Sequence, residues 1–239
     1  MVRVQVFRDG RLDPETVGVE ELGERSCDGL VWVDAAVPDD VAALDRIGQV
    51  LGLHPVTVED LHHRGQRPKV EVFPGYAFVA ARSLEVGRGL EPIEHELHAV
   101  VAPGFLVTVR DHGDPTLTRA QQRWARHPDL LDRHGGAFAL YAVLDEVVDG
   151  YLVVIDHLED RADELEDEVF ALGASEDGAQ LQERIFRLKR AVVRMRRALT
   201  PLRTSLDRLV EDPELVHPEL LPYFRDVSDH VLRAAELAD

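Results

Sequence analysis

The spacing of apolar residues changes period once along this chain. In the first half, short runs rich in β-branched and aromatic residues alternate with Gly, Pro and Asp. The pattern predicts strands at 2–7, 30–34, 69–73, 76–83, 96–101 and 105–111. The runs 76–83 and 96–101 read as one hairpin. The runs 96–101 and 105–111 read as a second, turning on Pro103-Gly104. Helical periods interrupt this series: one from Pro38 to Gly52, a short one after Pro55, and one over 115–127.

Beyond Gly135-Gly136 the period becomes helical almost to the end, with segments at 137–172, 176–211 and 218–239. The breaks fall at Gly173 with Ser175, and at Pro213 with Pro218. In the first segment Leu140, Leu144, Val147, Tyr151, Val154, Ile155, Leu158, Ala162, Leu165 and Val169 recur at helical spacing. Asp145, Asp149, Asp156, Asp160, Asp163 and Asp167 fall together on nearly the opposite face, which predicts an exposed acidic stripe. The next segment is basic, with Arg184, Arg187, Lys189, Arg190, Arg194 and Arg196 among its cations. An antiparallel helical hairpin, acid meeting base at its edges, is the simplest arrangement.

The predicted class is α/β (α+β): a mixed β-sheet flanked by helices, then a long helical hairpin and a final helix. The divisions are 1–134, 135–216 and 217–239.

Composition narrows the function. A net charge of −18, from 45 acidic and 27 basic residues, argues against nucleic-acid binding, which needs a basic footprint. The single cysteine, Cys27, forms no internal disulfide or thiolate cluster and reads as a small core residue in a reducing compartment. No run of about 18 apolar residues exists to span a bilayer. The N-terminus has no apolar stretch of the signal-peptide kind.

Chemistry concentrates in His54-Pro55-Val56-Thr57-Val58-Glu59-Asp60-Leu61-His62-His63. Imidazoles and carboxylates at this density fit a metal site, and equally a capped, solvated helix end. A metal-dependent hydrolase using His54, Glu59, Asp60 and His62 is one reading, testable by whether they share a pocket with an open metal position. His95-Glu96-Leu97-His98 is one residue short of a zinc-protease motif and lies in a predicted strand. No phosphate-binding glycine loop and no nucleophile elbow is present, so no enzyme activity is expected.

Several segments, in order, resemble the CorA family. These are Trp32-Val33-Asp34; Gly52-Leu53-His54-Pro55 through Asp60; Gln66-Arg67-Pro68-Lys69-Val70-Glu71; Tyr76-Ala77-Phe78-Val79; Phe105 to Arg110; and Pro222-Tyr223-Phe224-Arg225-Asp226-Val227-Ser228-Asp229-His230. The resemblance implies the regulatory domain of a homopentameric Mg2+ channel at the cytoplasmic face of the cell membrane. It implies that 217–239 begins a stalk helix and that the chain stops before the membrane helices and the Gly-Met-Asn pore motif. It further implies a regulatory Mg2+ position between Asp60 and the neighbouring subunit's copy of Asp226. A second position would use Glu59, Asp145 and Asp226, with each of Asp60 and Asp226 on exposed surface. Gly65 stands where some members carry a histidine. A zinc- or cobalt-transporting relative would share the fold, with Co2+ or Zn2+ in place of Mg2+. A stand-alone adaptor built on the charged hairpin is a further reading.

Overall fold

A computed structural model of the chain describes residues 2–13, 18–22, 29–37, 41–172 and 178–238. Cys27, the helix start at Pro38 and the break at Gly173 with Ser175 lie outside the described residues.

Seven strands form one mixed sheet: β1 (Arg3–Arg8), β2 (Arg11–Leu12), β3 (Leu30–Val37), β4 (Lys69–Phe73), β5 (Tyr76–Glu85), β6 (Ile93–Ala102) and β7 (Phe105–Asp111). Their order is β2-β1-β3-β7-β6-β5-β4, and the central β3–β7 pair is parallel while the other pairs are antiparallel. Both expected hairpins form, the second closing at Ala102↔Phe105 around Pro103-Gly104. The first is longer than expected because Glu94 and His95 continue the ladder opposite Leu84 and Ser83. Strand β2 was not expected; two exposed residues give no period, and Asp9-Gly10 at positive φ turn the chain back onto β1.

The two faces of the sheet carry separate cores. Tyr76, Phe78 and Ala80 of β5 and Val107 and Val109 of β7 pack under α1 (Val41–Val50) and α2 (Pro55–His62). The opposite face, with Trp32, Val79, Ala99 and Leu106, packs under the remaining helices. Strand β3 reads as an almost continuous apolar run for this reason: both its faces are covered. Two of the segments quoted above meet here. Trp32 Nε1 donates to Thr108 Oγ1 at 3.0 Å, and Arg110 pairs with buried Asp34 at 3.0 Å.

The helices on that face are α3 (Thr116–Arg126), α4 (Pro128–Leu172), α5 (Gly178–Val210) and α6 (Leu221–Leu237). Helix α4 starts earlier than expected and breaks at Gly135, at φ 48 and ψ −123. The break has a steric cause. A Cβ on Gly135 would lie 2.2 Å from the Pro103 carbonyl oxygen, so the helix passes the β6–β7 turn only as glycine. Helix α5 returns along α4: Glu168 pairs with Arg184, while Ile155 and Leu158 face Leu188, Val192 and Met195. The apolar stripe of α4 is buried from Leu140 to Leu158 and again at Leu165; Val169 is exposed.

Candidate functional site

Helix α2 is positioned by its N-cap. His54 has extended backbone, its Nδ1 accepts from Val56 N at 3.2 Å, and Pro55 occupies the first turn, where no amide donor is needed. The Tyr76 hydroxyl fastens this cap to the sheet, accepting from His54 N at 2.9 Å and lying 2.8 Å from Thr57 Oγ1. Glu59 therefore points outward and is exposed.

Asp60 departs from the expectation of open surface. It is half-buried, and its carboxylate contacts Lys69 Nζ at 2.7 Å, with Gln66 Nε2 donating to its backbone carbonyl at 2.7 Å. The cause is the β4 strand, which brings Lys69 alongside α2. Burial alone would lower the Lys69 pKa, but Asp60 and Glu71 outweigh it and raise it, so the ammonium stays charged.

The four residues of the alternative hydrolase reading do not converge. His62 Nε2 faces Asp45 at 2.8 Å, His54 caps its helix, and Asp60 faces Lys69. A cleft of about 920 Å³ is lined by Arg67, Arg82, Arg194 and Arg197, and by none of the four.

Asp145 also departs from expectation: it is 4% exposed and not part of an open stripe. Helices α3 and α6 cover this part of α4, and Arg123 from α3 pairs with the carboxylate. Burial pushes the Asp145 pKa up to about 6, against the downward pull of Arg123. Arg123 also reaches Glu146 at 3.4 Å and Asp149 at 3.7 Å.

Helix α6 carries the last expected acid. Phe224, Val227, Val231 and Ala234 form its buried face. Tyr223 and Phe224 seat it on α4 through Tyr141, at ring separations of 5.1 and 6.0 Å. Asp226 is left outward, its side chain 60% exposed. His230, one turn on, lies 3.9 Å from it.

Tertiary packing thus gathers Asp145, Asp226 and His230, whose ligand atoms lie within 4.8 Å of one another. His230 was not expected. Its i, i+4 spacing from Asp226 was the available signal, but an aspartate–histidine pair at that spacing is common on exposed helices. His230 turns its Nε2 toward Asp226, while its Nδ1 is buried without a hydrogen-bond partner. Two carboxylates and an imidazole suit a divalent cation that keeps part of its water shell. Glu59 and Asp60 are not part of this group. Helix α2 packs on the opposite face of the sheet from α4 and α6.

The sheet with helices on both faces, a long helical hairpin and a terminal helix presenting an acid group make this a mixed α/β domain with a candidate cation site. Residues 28–239 match the family described as CorA-like Mg2+ transporter protein, and the chain belongs to that family. It is 28% identical over 239 residues to the cobalt/magnesium transport protein CorA of Thermotoga maritima, covering 99% of this chain and 66% of that protein. It is 29% identical to the magnesium transporter ALR1 of Saccharomyces cerevisiae over 155 residues, 63% of this chain and 18% of that protein. Its fold matches the soluble domain of CorA from Methanocaldococcus jannaschii at a TM-score of 0.79 and 19% identity, covering 100% of this chain and 90% of that one. It also matches the ZntB cytoplasmic domain from Vibrio parahaemolyticus at a TM-score of 0.70 and 14% identity, covering 88% and 81%. Among the described residues no helix is long and apolar enough to cross a membrane.

Proposed function

We propose that this chain is the cytoplasmic, Mg2+-sensing domain of a CorA-type channel, acting as a homopentamer. The cation binds between subunits. Asp226 of one subunit faces Asp60 of the next, and a second ion lies among Asp145, Asp226 and the neighbour's Glu59. The observation that carries this reading is the gathering of Asp145, Asp226 and His230, with Asp226 exposed. The α2 acids lie beyond the sheet from this group, so a shared site needs a second copy.

The physics is simple. Carboxylates brought together across an interface repel, and a divalent ion between them reverses that interaction. Subunit packing then depends on cation concentration. At Asp60 the ion competes with Lys69, and at Asp145 with Arg123. Mg2+ thus closes the assembly only where it outcompetes these internal cations. The similarity to the cobalt/magnesium transport protein CorA supports a second reading, the same device responding to Co2+ or Zn2+. His230 favours such ions locally, while the surrounding carboxylates favour Mg2+.

The test is thermal melting in Mg2+ against sodium salt of equal ionic strength. Mg2+ is expected to raise Tm further, and Asp226→Asn to remove the difference. Equal shifts in both salts would reduce the effect to screening and sink the sensor reading.

A further inference from the structure

A second group of ligand atoms lies away from the acids, at the root of α6. His134 is the last residue before the break in α4. His217 is the N-cap of the 3-10 turn Pro218–Leu220 that leads into α6, and Glu219 lies inside that turn. The His134 side chain is 6% exposed, and its Nε2 contacts Glu219 Oε2 at 3.1 Å. The two imidazole rings lie 5.2 Å apart, tilted by 33°. The ligand atoms of His134, His217 and Glu219 all fall within 4.8 Å of one another. His134 and His217 border a cavity of about 370 Å³ that Asp132, Glu214 and Arg133 also line.

We propose that His134, His217 and Glu219 form a binding site for a transition-metal dication of the Zn2+ class. The donor set decides the ion. Two imidazoles and one carboxylate are a zinc-type set that leaves one tetrahedral position for water. Mg2+ demands oxygen ligands in near-octahedral array and binds such a set poorly. Ligation through Nε2 takes the His134 tautomer that carries its proton on Nδ1, and the ion then bridges Nε2 and the Glu219 carboxylate in place of their hydrogen bond. Bonds of about 2.0–2.2 Å set tetrahedral ligand atoms about 3.3–3.6 Å apart, and the His134–Glu219 pair, at 3.1 Å, already stands near that spacing.

Two existing contacts yield. Arg133 Nη1 lies 3.1 Å from Glu219 Oε2, but its side chain is 55% exposed and can turn into solvent. His217 Nδ1 accepts from Glu219 N at 3.3 Å; a metal on Nε2 leaves the ring proton on Nδ1, and this long cap bond is lost. Once bound, the ion pins the root of α6 to the break in α4. The site does not depend on the role proposed for Asp226, and its test separates the two.

The experiment is titration of the 239-residue chain with Zn2+ by calorimetry and with Co2+ by visible absorption, both in excess Mg2+. One equivalent is expected to bind, with the intense absorption of tetrahedral Co2+. His217→Asn keeps an N-cap side chain and removes the imidazole; His134→Gln keeps a polar partner for Glu219. Each is expected to weaken binding at least about tenfold. Arg133→Ala is expected to strengthen it, and Asp226→Asn to leave this equivalent unchanged. Unaltered affinity in both histidine variants, or loss in Asp226→Asn alone, overturns the assignment. Melting of each variant without metal checks its folding, and His217→Asn, at an exposed position, serves should His134→Gln fail to fold.

Discussion

At the scale of single residues, pairing differs from what a run of acids suggests. Glu96 is the clearest case. Burial would raise its pKa, but His98 Nε2 at 2.8 Å and the Gly65 and Gln66 amides hold it down to about 2. A depressed folded pKa gives stability that is present above about pH 4.5 and lost as pH falls through about 2. Solvent screening keeps the contribution below the full value of such a shift, on the order of 1–2 kcal/mol. Glu96→Gln is therefore expected to lower stability at neutral pH and to flatten the acid limb, measured by denaturant unfolding between neutral pH and about pH 3. An acid limb unchanged by the substitution would contradict this. The cation-site acids should separate as well. Asp226→Asn is expected to cost less than about 0.5 kcal/mol, because the side chain is exposed. Asp60→Asn is expected to cost about 1 kcal/mol, since Lys69 loses a half-buried partner while keeping Glu71 at 3.1 Å. Urea midpoints of the two variants check the order.

At the scale of elements, three junctions carry the architecture: the His54-Pro55 cap, the Pro103-Gly104 turn and the Gly135-Gly136 break. All three were visible as sequence signals, because caps and turns depend on local backbone chemistry. What the break does was not visible. Gly135 and Gly136 sit against the backbone of the β6–β7 turn, where Gly136 N donates to Pro103 O at 3.1 Å. Gly135→Ala is expected to destabilise the chain by about 2 kcal/mol or more, from the left-handed φ and the blocked Cβ together. A loss below about 0.5 kcal/mol in thermal melts would mean that the turn yields.

At the scale of the whole molecule, one apolar core runs from Phe7 to Ala238 and joins the sheet, the hairpin and α6. Trp32 and Trp124 lie within it, edge to face at 5.0 Å. Tryptophan fluorescence should thus report the same melting transition as far-ultraviolet circular dichroism. Separate midpoints would show that the helical part unfolds by itself. The proposed sensor acts at the same scale, as its two halves lie on opposite sides of this core.

The amino-acid sequence by itself determined six of the seven strands, the turns between them, the order of the helices and the family, though not strand β2 or the early start of α4. These rest on local propensity, period and ordered motifs, which need no knowledge of what packs where. Only the tertiary structure decided the fate of the acids. Asp145 shares a helical face with Asp156 and Asp160, yet α3 and α6 cover it and Arg123 claims it. Asp60 reads like its neighbour Glu59, but β4 brings Lys69 to it alone. His230 and the pair His134–His217 gained ligand neighbours from segments distant in sequence. Burial and charge partners are properties of packed surfaces, and residues far apart in the chain set them.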